Sequence, residues 1–461
     1  MKREPKPMHE RSRLRRFINR YEVDQATFFA IVSRGWSFLS GPITNLLILA
    51  CFTDLFRDYY FAFGFLLGMQ TFFELSMDVV IVNIASHEWA SLGFGDGGTL
   101  VGDRTAKQRL SSLRQITRFW YRIASMVFLV VVGAVGFWFL GKRSLPPEDW
   151  LAPWLVLTAL ASLQLNLLPA IGLLEGCGQL GFINRIRTVQ AVLGSLVVWT
   201  CIASGLGLWA IVGSAAVRLS MDLWLVFRRY RGFFGSLNNR EARATLGWRD
   251  EIWPLQWRLG LQSIVTYFSL NMFVAVMWYH ADGVPGQMGM TWTILSTVQI
   301  ASFAWVETRR PLFGGLIAQR KFQQLDQHFF RLTKISLLVL TTVCVLFLAG
   351  LFVVRNLDFP IARLVADGLL PPLPTALLVL ATIILQVARC QNVYVRAHKK
   401  DPFLIPALTA NLLNIALIWY FGKHYGPVGA AAGFLAVVAL VIAPWWWRIW
   451  SVSRTKWHSE A

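Results

Sequence analysis

Apolar residues in this chain gather into long runs separated by short polar stretches. A helix that crosses a bilayer needs about 20 mostly apolar residues. Twelve stretches fit: 27–52, 59–84, 119–140, 151–176, 188–203, 209–227, 254–278, 289–307, 336–354, 372–393, 404–421 and 427–447. The fifth is short, and its helix is expected to begin nearer Phe182. The second is long and is expected to end in a helical extension beyond the inner surface. The pattern therefore predicts an all-α integral membrane protein.

Composition supports this pattern. Apolar residues make up 55% of the 461, charged residues only 15%, and mean hydropathy is +0.50. Soluble domains carry about 25% charged residues. With 21 Trp and 33 Phe, the apolar fraction is bulky. A soluble multidomain enzyme, a disordered chain and a fibrous repeat are all excluded.

The net charge of +19 would suggest nucleic acid in a soluble protein. In a membrane protein it reads as basic cytoplasmic loops. With residues 1–26 placed inside, 33 of the 44 Lys and Arg fall in inner loops, 6 in outer loops and 5 within spans. Both termini are therefore expected in the cytoplasm, with an even number of spans and no nucleic-acid partner. Trp445, Trp446, Trp447 and Arg448 form an aromatic and basic anchor at the end of the last span. Residues 10–22 place Leu14, Phe17, Ile18 and Tyr21 on one face among five arginines, which predicts a helix lying on the inner leaflet. No apolar segment precedes residue 27, so no cleavable signal peptide is expected. The five cysteines are scattered and form no disulfide framework.

Halving the chain near residue 240 leaves six spans on each side. Residues 187–193 fall on 406–412 at an offset of 219, as 207–210 fall on 426–429. Spans one and seven overlay at 224, pairing Arg34 with Arg258, and spans two and eight at 229, pairing Asp78 with Glu307. Each match is weak; their common order carries the argument. Six is even, so both halves enter from the same side as parallel repeats, with a substrate site expected between two lobes. The expected organisation is a basic N-terminus (1–26), an N-terminal lobe (27–228), a linker (229–253), a C-terminal lobe (254–448) and a tail (449–461).

Motifs of soluble enzymes are missing or spurious. Residues 93–98, Gly-Phe-Gly-Asp-Gly-Gly, match G-x-G-x-x-G but open no βαβ unit. His87-Glu88 lacks the second His of a zinc motif, because Ser91 stands in its place. No Walker A sequence occurs, so energy must come from a gradient, the membrane potential or a downstream sink. No metal or cofactor is expected.

Ten charged residues lie within spans: Arg34, Arg122, Arg218, Arg258 and Arg389, with Glu74, Asp78, Glu175, Asp222 and Glu307. Each costs at least about 2.5–3.5 kcal/mol at a span centre, which argues for internal pairing or a polar cavity. Arg122 is three residues into span three and is expected to snorkel to the interface. Arg218 and Asp222 are four apart, so they form either a helix ion pair or part of the cavity. Glu175 ends span four, where it can simply face water. Asp78 and Glu307 lie near inner ends, close to Arg309 and Arg310, and serve in ion pairs or in coupling, as does Glu74. Arg34 lies about 10 Å deep at 1.5 Å per residue. Arg258 is shallower, and snorkelling alone could satisfy it. Their repeat equivalence points instead to two guanidinium groups facing one cleft, with Arg218 and Arg389 as further donors. Guanidinium stays charged and binds phosphate bidentately, so an anionic headgroup such as a pyrophosphate fits best.

The two-lobe, twelve-span layout resembles the Wzx-type polysaccharide flippases, in the superfamily that also holds multidrug-and-toxin exporters (MATE) and lipid II flippases. Local patterns add to it: Leu173-Leu174-Glu175-Gly176-Cys177-Gly178, Gly205-Leu206-Gly207-Leu208-Trp209, and Arg310-Pro311-Leu312-Phe313 through Ile317-Ala318 and Leu325. The resemblance implies a MATE-like fold in the inner (cytoplasmic) membrane. It also implies a transporter rather than an enzyme, moving a polyprenyl-pyrophosphate-linked oligosaccharide or polysaccharide repeat unit to the outer leaflet by alternating access. Membrane lipids and other polysaccharide-assembly proteins are the implied partners. Two other readings stand beside it. A cation-coupled multidrug exporter of the same fold often carries an acid in an early span, where this chain has Arg34. A membrane glycosyltransferase or polymerase would need catalytic residues on a large outer loop; the longest, 355–371, offers only Arg355, Asp358, Arg363 and Asp367. Lipid II flippases usually carry two additional spans.

Overall fold

The computed structural model describes residues 25–237, 246–280, 282–398 and 402–459. The surface helix expected over residues 10–22 lies outside them. Almost everything described is helical. α1 (Gln25–Cys51) is followed by α2 (Asp54–Gly68), α3 (Gln70–Glu74) and α4 (Met77–Trp89). A small antiparallel hairpin, β1 (Leu92–Phe94) and β2 (Leu100–Gly102), comes next. The glycine-rich 93–98 segment forms the end of this hairpin, with Gly97 and Gly98 at positive φ, so it is a turn and not a nucleotide loop. Then come α5 (Arg104–Leu140), α6 (Pro147–Leu174), α7 (Leu180–Ala203), α8 (Trp209–Leu223) and α9 (Arg231–Ser236). The second half holds α10 (Trp253–Met277), α11 (Val284–Glu307), α12 (Arg310–Ala318), α13 (Phe322–Asn356), α14 (Pro360–Gly368), α15 (Pro372–Ala397), α16 (Leu404–Val437) and α17 (Ala443–Ser459).

Seven segments are long and apolar enough to cross a membrane alone. Two of them, Pro147–Ala203 and Leu404–Trp457, are each far longer than one crossing. The first breaks at Cys177 and Gly178, where the backbone leaves helical geometry. The second reverses at Gly426, after which Gly429 packs against the Phe421 carbonyl and Gly433 against that of Leu417. Each is therefore two spans. The bent pair Asp54–Glu74 and Met77–Trp89 adds another, turning by 47° where Leu75 and Ser76 take left-handed φ. α1 and α11 complete about twelve. α11 is less apolar because its polar side chains face protein: Gln299 is buried and donates to the Thr382 carbonyl at 3.2 Å.

Two cores form, one in each half. Phe63, Phe128 and Trp154 are fully buried in the first, as are Phe273 and Phe434 in the second. The packing repeats between them: α1 lies along α7 as α10 lies along α16, and α5 along α6 as α13 along α15. Large side chains such as Leu338, Leu346 and Leu440 remain exposed on the outside, which suits lipid and not water. Several elements begin earlier than the hydropathy suggests. α5 starts at Arg104 and α13 at Phe322, because a helix continues through polar residues once it leaves the bilayer.

Candidate functional site: a cleft between two lobes

The lobes meet along a seam of α2, α3 and α4 against α10. Tyr267 donates its hydroxyl to the Phe65 carbonyl. Its ring occupies the space a Cβ would need at Gly68. At the bend, Leu75 fills the gap left by Gly260, and the Ser76 and Ser263 hydroxyls are 2.7 Å apart.

With the orientation that the loop charges predict, the outer end of the cleft is closed. Asp58 is fully buried on α2 and accepts the backbone N–H groups of Gly283 (2.8 Å) and Gly286 (2.7 Å) from the other lobe. Arg143 pairs with the same carboxylate at 2.6 Å. It also reaches across to Asp282 (2.6 Å) and to the carbonyls of Trp278 (3.2 Å) and His280 (2.9 Å). Beside this clamp, Ile48, Leu49 and Phe52 pack on Met290, Leu351 and Leu369. α14 lies against α1, and Gln287 donates to the Asp367 carbonyl at 2.7 Å.

Each lobe carries a polar cavity. In the N-terminal lobe it measures about 500 Å³ and is lined by Thr44, Tyr60, Arg187, Gln190, Ser195 and Arg218, among others. In the C-terminal lobe it measures about 180 Å³, with Gln262, Thr266, Arg389, Asn392, Arg396 and Asn411 in its wall. The first is bounded by spans one, two, five and six, the second by spans seven, ten, eleven and twelve. Spans one, five and six correspond to seven, eleven and twelve in the repeat, so the two cavities are largely counterparts. Neither lining includes a carboxylate. Arginine, amide and hydroxyl groups together can hold an anion and the hydroxyl-rich groups attached to it. Among the described residues, no group of three His, Cys, Asp or Glu side chains could hold a metal ion.

The expected residues divide as follows. Arg218 and Arg389 line the two cavities. Glu307 acts electrostatically on Arg389. Arg258 is exposed on α10, its guanidinium 5.7 Å from the Trp257 ring centre. Arg34 sits on α1, but its side chain lies outside the described residues. The ion pair considered for Arg218 and Asp222 does not form. Asp222 is buried and accepts from the side-chain amides of Gln164 and, at 2.7 Å, Gln190, so two neighbouring helices satisfy it before Arg218 can. Glu74 accepts from Gln70 at 2.6 Å, and Asp78 and Arg218 are charges that act on it. Asp78 is exposed and makes no ion pair among the described residues, neither with Arg309 nor with Arg310. Glu175 pairs with Arg187 rather than simply facing water.

The apolar runs stop short of Arg187 and Arg396, so hydropathy places them in loops; the helices extend through both. Asp58 and Arg143 lie outside every apolar run and belong to no motif. Lys142 and Arg143 stand out as cations in an outer loop, against the inside bias. The polar residues of the 355–371 connection are taken up structurally. Arg363 pairs with Asp358, and Arg355 donates to the carbonyls of Ala366 (3.1 Å) and Leu369 (3.2 Å).

No family model matches the chain, and no curated protein matches it by sequence. Solved structures do match in fold. One is an inward-facing multidrug resistance MATE family transporter of the MOP superfamily, with a TM-score of 0.63 at 13% identity over 93% of this chain and 99% of that one. Another is the lipid II flippase MurJ in an inward closed conformation, with a TM-score of 0.63 at 14% identity over 94% of this chain and 90% of that one. A third is a MOP superfamily transporter from Pyrococcus furiosus described as having a binding pocket of reverse polarity, with a TM-score of 0.54 at 13% identity over 94% and 95% of the two chains. At these identities the likeness is one of fold: a MATE-like, multi-pass membrane architecture.

Proposed function

We propose that the chain is a flippase of the Wzx type. It moves a polyprenyl-pyrophosphate-linked oligosaccharide or polysaccharide repeat unit across the cytoplasmic membrane by alternating access. The observation that carries this reading is the pair of repeat-related cavities, each lined by two arginines and by amide and hydroxyl groups, with no carboxylate in either wall. A pyrophosphate needs the guanidinium groups, and a glycan needs the neutral donors and acceptors. The lipid tail stays in the bilayer while the headgroup passes between the lobes. Arg34 and Arg258, at equivalent points of α1 and α10, hold the pyrophosphate on its way. Glu74, Asp78 and Glu307 serve in coupling, and polysaccharide-assembly proteins act before and after the flippase.

The structures that share the fold include both a lipid II flippase and multidrug transporters, so the experiment must separate the two. The purified protein is reconstituted into vesicles holding a fluorescent polyprenyl-pyrophosphate oligosaccharide or, separately, a lipophilic dye cation. The flippase reading expects the lipid to change leaflets in a protein-dependent way and the dye to be left alone. Dye transport without lipid movement would make the chain a drug exporter.

A further inference from the structure

A third basic cavity lies away from the cleft, on the side of the N-terminal lobe that the loop charges place at the cytoplasm. It has a volume of about 520 Å³ and is walled by α5, α6 and the segment following α8. Arg114, Arg118 and Arg122 recur every fourth residue along α5 and so form one stripe. Arg231 closes the opposite side. α5 contains no Asp or Glu in its 37 residues.

This stripe is distinct from the ordinary basic residues of the helix. Arg109 points the other way, half a turn from Arg118 at 100° per residue, and is neutralised by Glu88 (2.7 Å) and Glu251 (2.8 Å). Arg114 donates to the Phe234 carbonyl at 2.5 Å and lies over its ring. Arg118, Arg122 and Arg231 are exposed and form no ion pair among the described residues. The corresponding helix of the other lobe, α13, has no such row. It carries Arg331 and Lys334, and its Asp326 is bonded by Arg454 at 2.6 Å and Tyr394 at 2.8 Å. An inside bias alone would have placed similar rows in both lobes.

Depth identifies the ligand. Arg122 lies 18 residues before the end of α5 at Leu140, about 27 Å along the axis, close to the edge of a hydrocarbon layer about 30 Å thick. Arg118 and Arg114 follow at about 6 Å and 12 Å further, in the headgroup layer. Apart from Asn166, whose amide donates to the Ser125 hydroxyl at 2.7 Å, the remaining wall is apolar, with Leu167, Leu173 and Phe227. Phe119, Met126 and Phe227 stay exposed next to it. A ligand that meets both surfaces has a phosphate at one end and acyl chains at the other.

We infer that this cavity is a docking site for an anionic phospholipid of the inner leaflet, whose phosphate is held by Arg114, Arg118, Arg122 and Arg231. The site is separate from the transport cleft and stands whether or not the chain flips a glycolipid. Basic recesses between spanning helices on the cytoplasmic side suit such headgroups. The bound lipid would hold α5, α6 and the end of α8 together in the lobe that must move as a unit.

The test is native mass spectrometry of the full chain in neutral detergent, titrated with phosphatidylglycerol, with phosphatidylcholine, or with phosphatidylglycerol in the presence of inorganic phosphate. The expected result is a saturable phosphatidylglycerol adduct that phosphatidylcholine does not form and that inorganic phosphate at the same concentration does not displace. Arg118→Gln/Arg122→Gln should weaken it about tenfold or more, as loss of a charge-assisted hydrogen bond would. Both side chains are exposed and unbonded, so the fold should tolerate the change. Arg331→Gln/Lys334→Gln removes the same charge from the other lobe and should leave binding intact. Equal loss in both double variants would mean diffuse attraction and overturn the site. Displacement by inorganic phosphate would make it a free-anion site, and unchanged binding in Arg118→Gln/Arg122→Gln would remove it altogether.

Discussion

The carboxylate of Asp58, in the N-terminal lobe, accepts the backbone N–H of Gly286, in the C-terminal lobe, at 2.7 Å. With the Gly283 N–H and Arg143 it forms a buried clamp at the end of the cleft that the loop charges predict to face outward. Gly286 stands where a Cβ would be 3.0 Å from the Asp58 carboxylate, so a side chain there would have to displace the carboxylate by a few tenths of an ångström. The proposed alternating access requires this clamp to open. Asp58→Ala would remove one of the two carboxylates on Arg143 and leave it Asp282 and the Trp278 and His280 carbonyls, at a cost of about 1.5–3 kcal/mol. It should lower the Tm and bias the cleft outward. A cysteine introduced at Ser195 should then react faster with an impermeant thiol reagent added from outside, and unchanged labelling would show that the clamp is not the gate.

The hairpin between the last two spans depends on one backbone position. Gly426 has φ 63° and ψ −148°, a region essentially closed to residues with a Cβ. Gly426→Ala should cost about 1–3 kcal/mol, read as a lower Tm in detergent, whereas Gly350→Ala, which meets nothing within 4 Å, should not.

Acidity should loosen the inner side. The hydrogen bond from Arg109 holds the Glu251 carboxyl below its ordinary range. A lowered folded pKa gives stability that is complete above the unfolded value and lost as pH falls through the folded one. The Tm difference between the protein and Glu251→Gln should therefore be present at neutral pH and shrink below about pH 4. A difference that persists in acid would assign the effect to packing.

Much of this architecture was legible in the sequence, and the reasons are physical. Lipid demands apolar length, so the spans stand out; the cost of moving arginine across the membrane sorts the loops. Arg218 and Arg389 could be found because charge within a span is expensive. Arg187 and Arg396 were hidden because hydropathy ends at the bilayer while the helix does not. Asp58 lay one residue outside its apolar run, and its partners, the N–H groups of Gly283 and Gly286, have no signature in sequence. The partners of Asp222 are hidden for a related reason. An i, i+4 arginine is visible locally, but Gln164 and Gln190 reach it only after three helices have packed.

The orientation can be read with reporter fusions. Fusions after Tyr230 and Lys334 should report the cytoplasm, and those near Ser144 and Asp282 the exterior. Opposite results at any two sites would reject the twelve-span arrangement.

The cationic cleft is the centre of this account, and leaflet transfer of the fluorescent polyprenyl-pyrophosphate oligosaccharide by Arg34 and Arg258 variants tests it most directly. Alanine at either position should abolish transfer with protein levels in the membrane nearly normal. Lysine keeps the charge but loses the planar fork, so Arg34→Lys/Arg258→Lys should retain only part of the rate. Full transfer with lysine at both positions would mean that the two side chains merely snorkel to inner-leaflet phosphates, and would contradict the assignment.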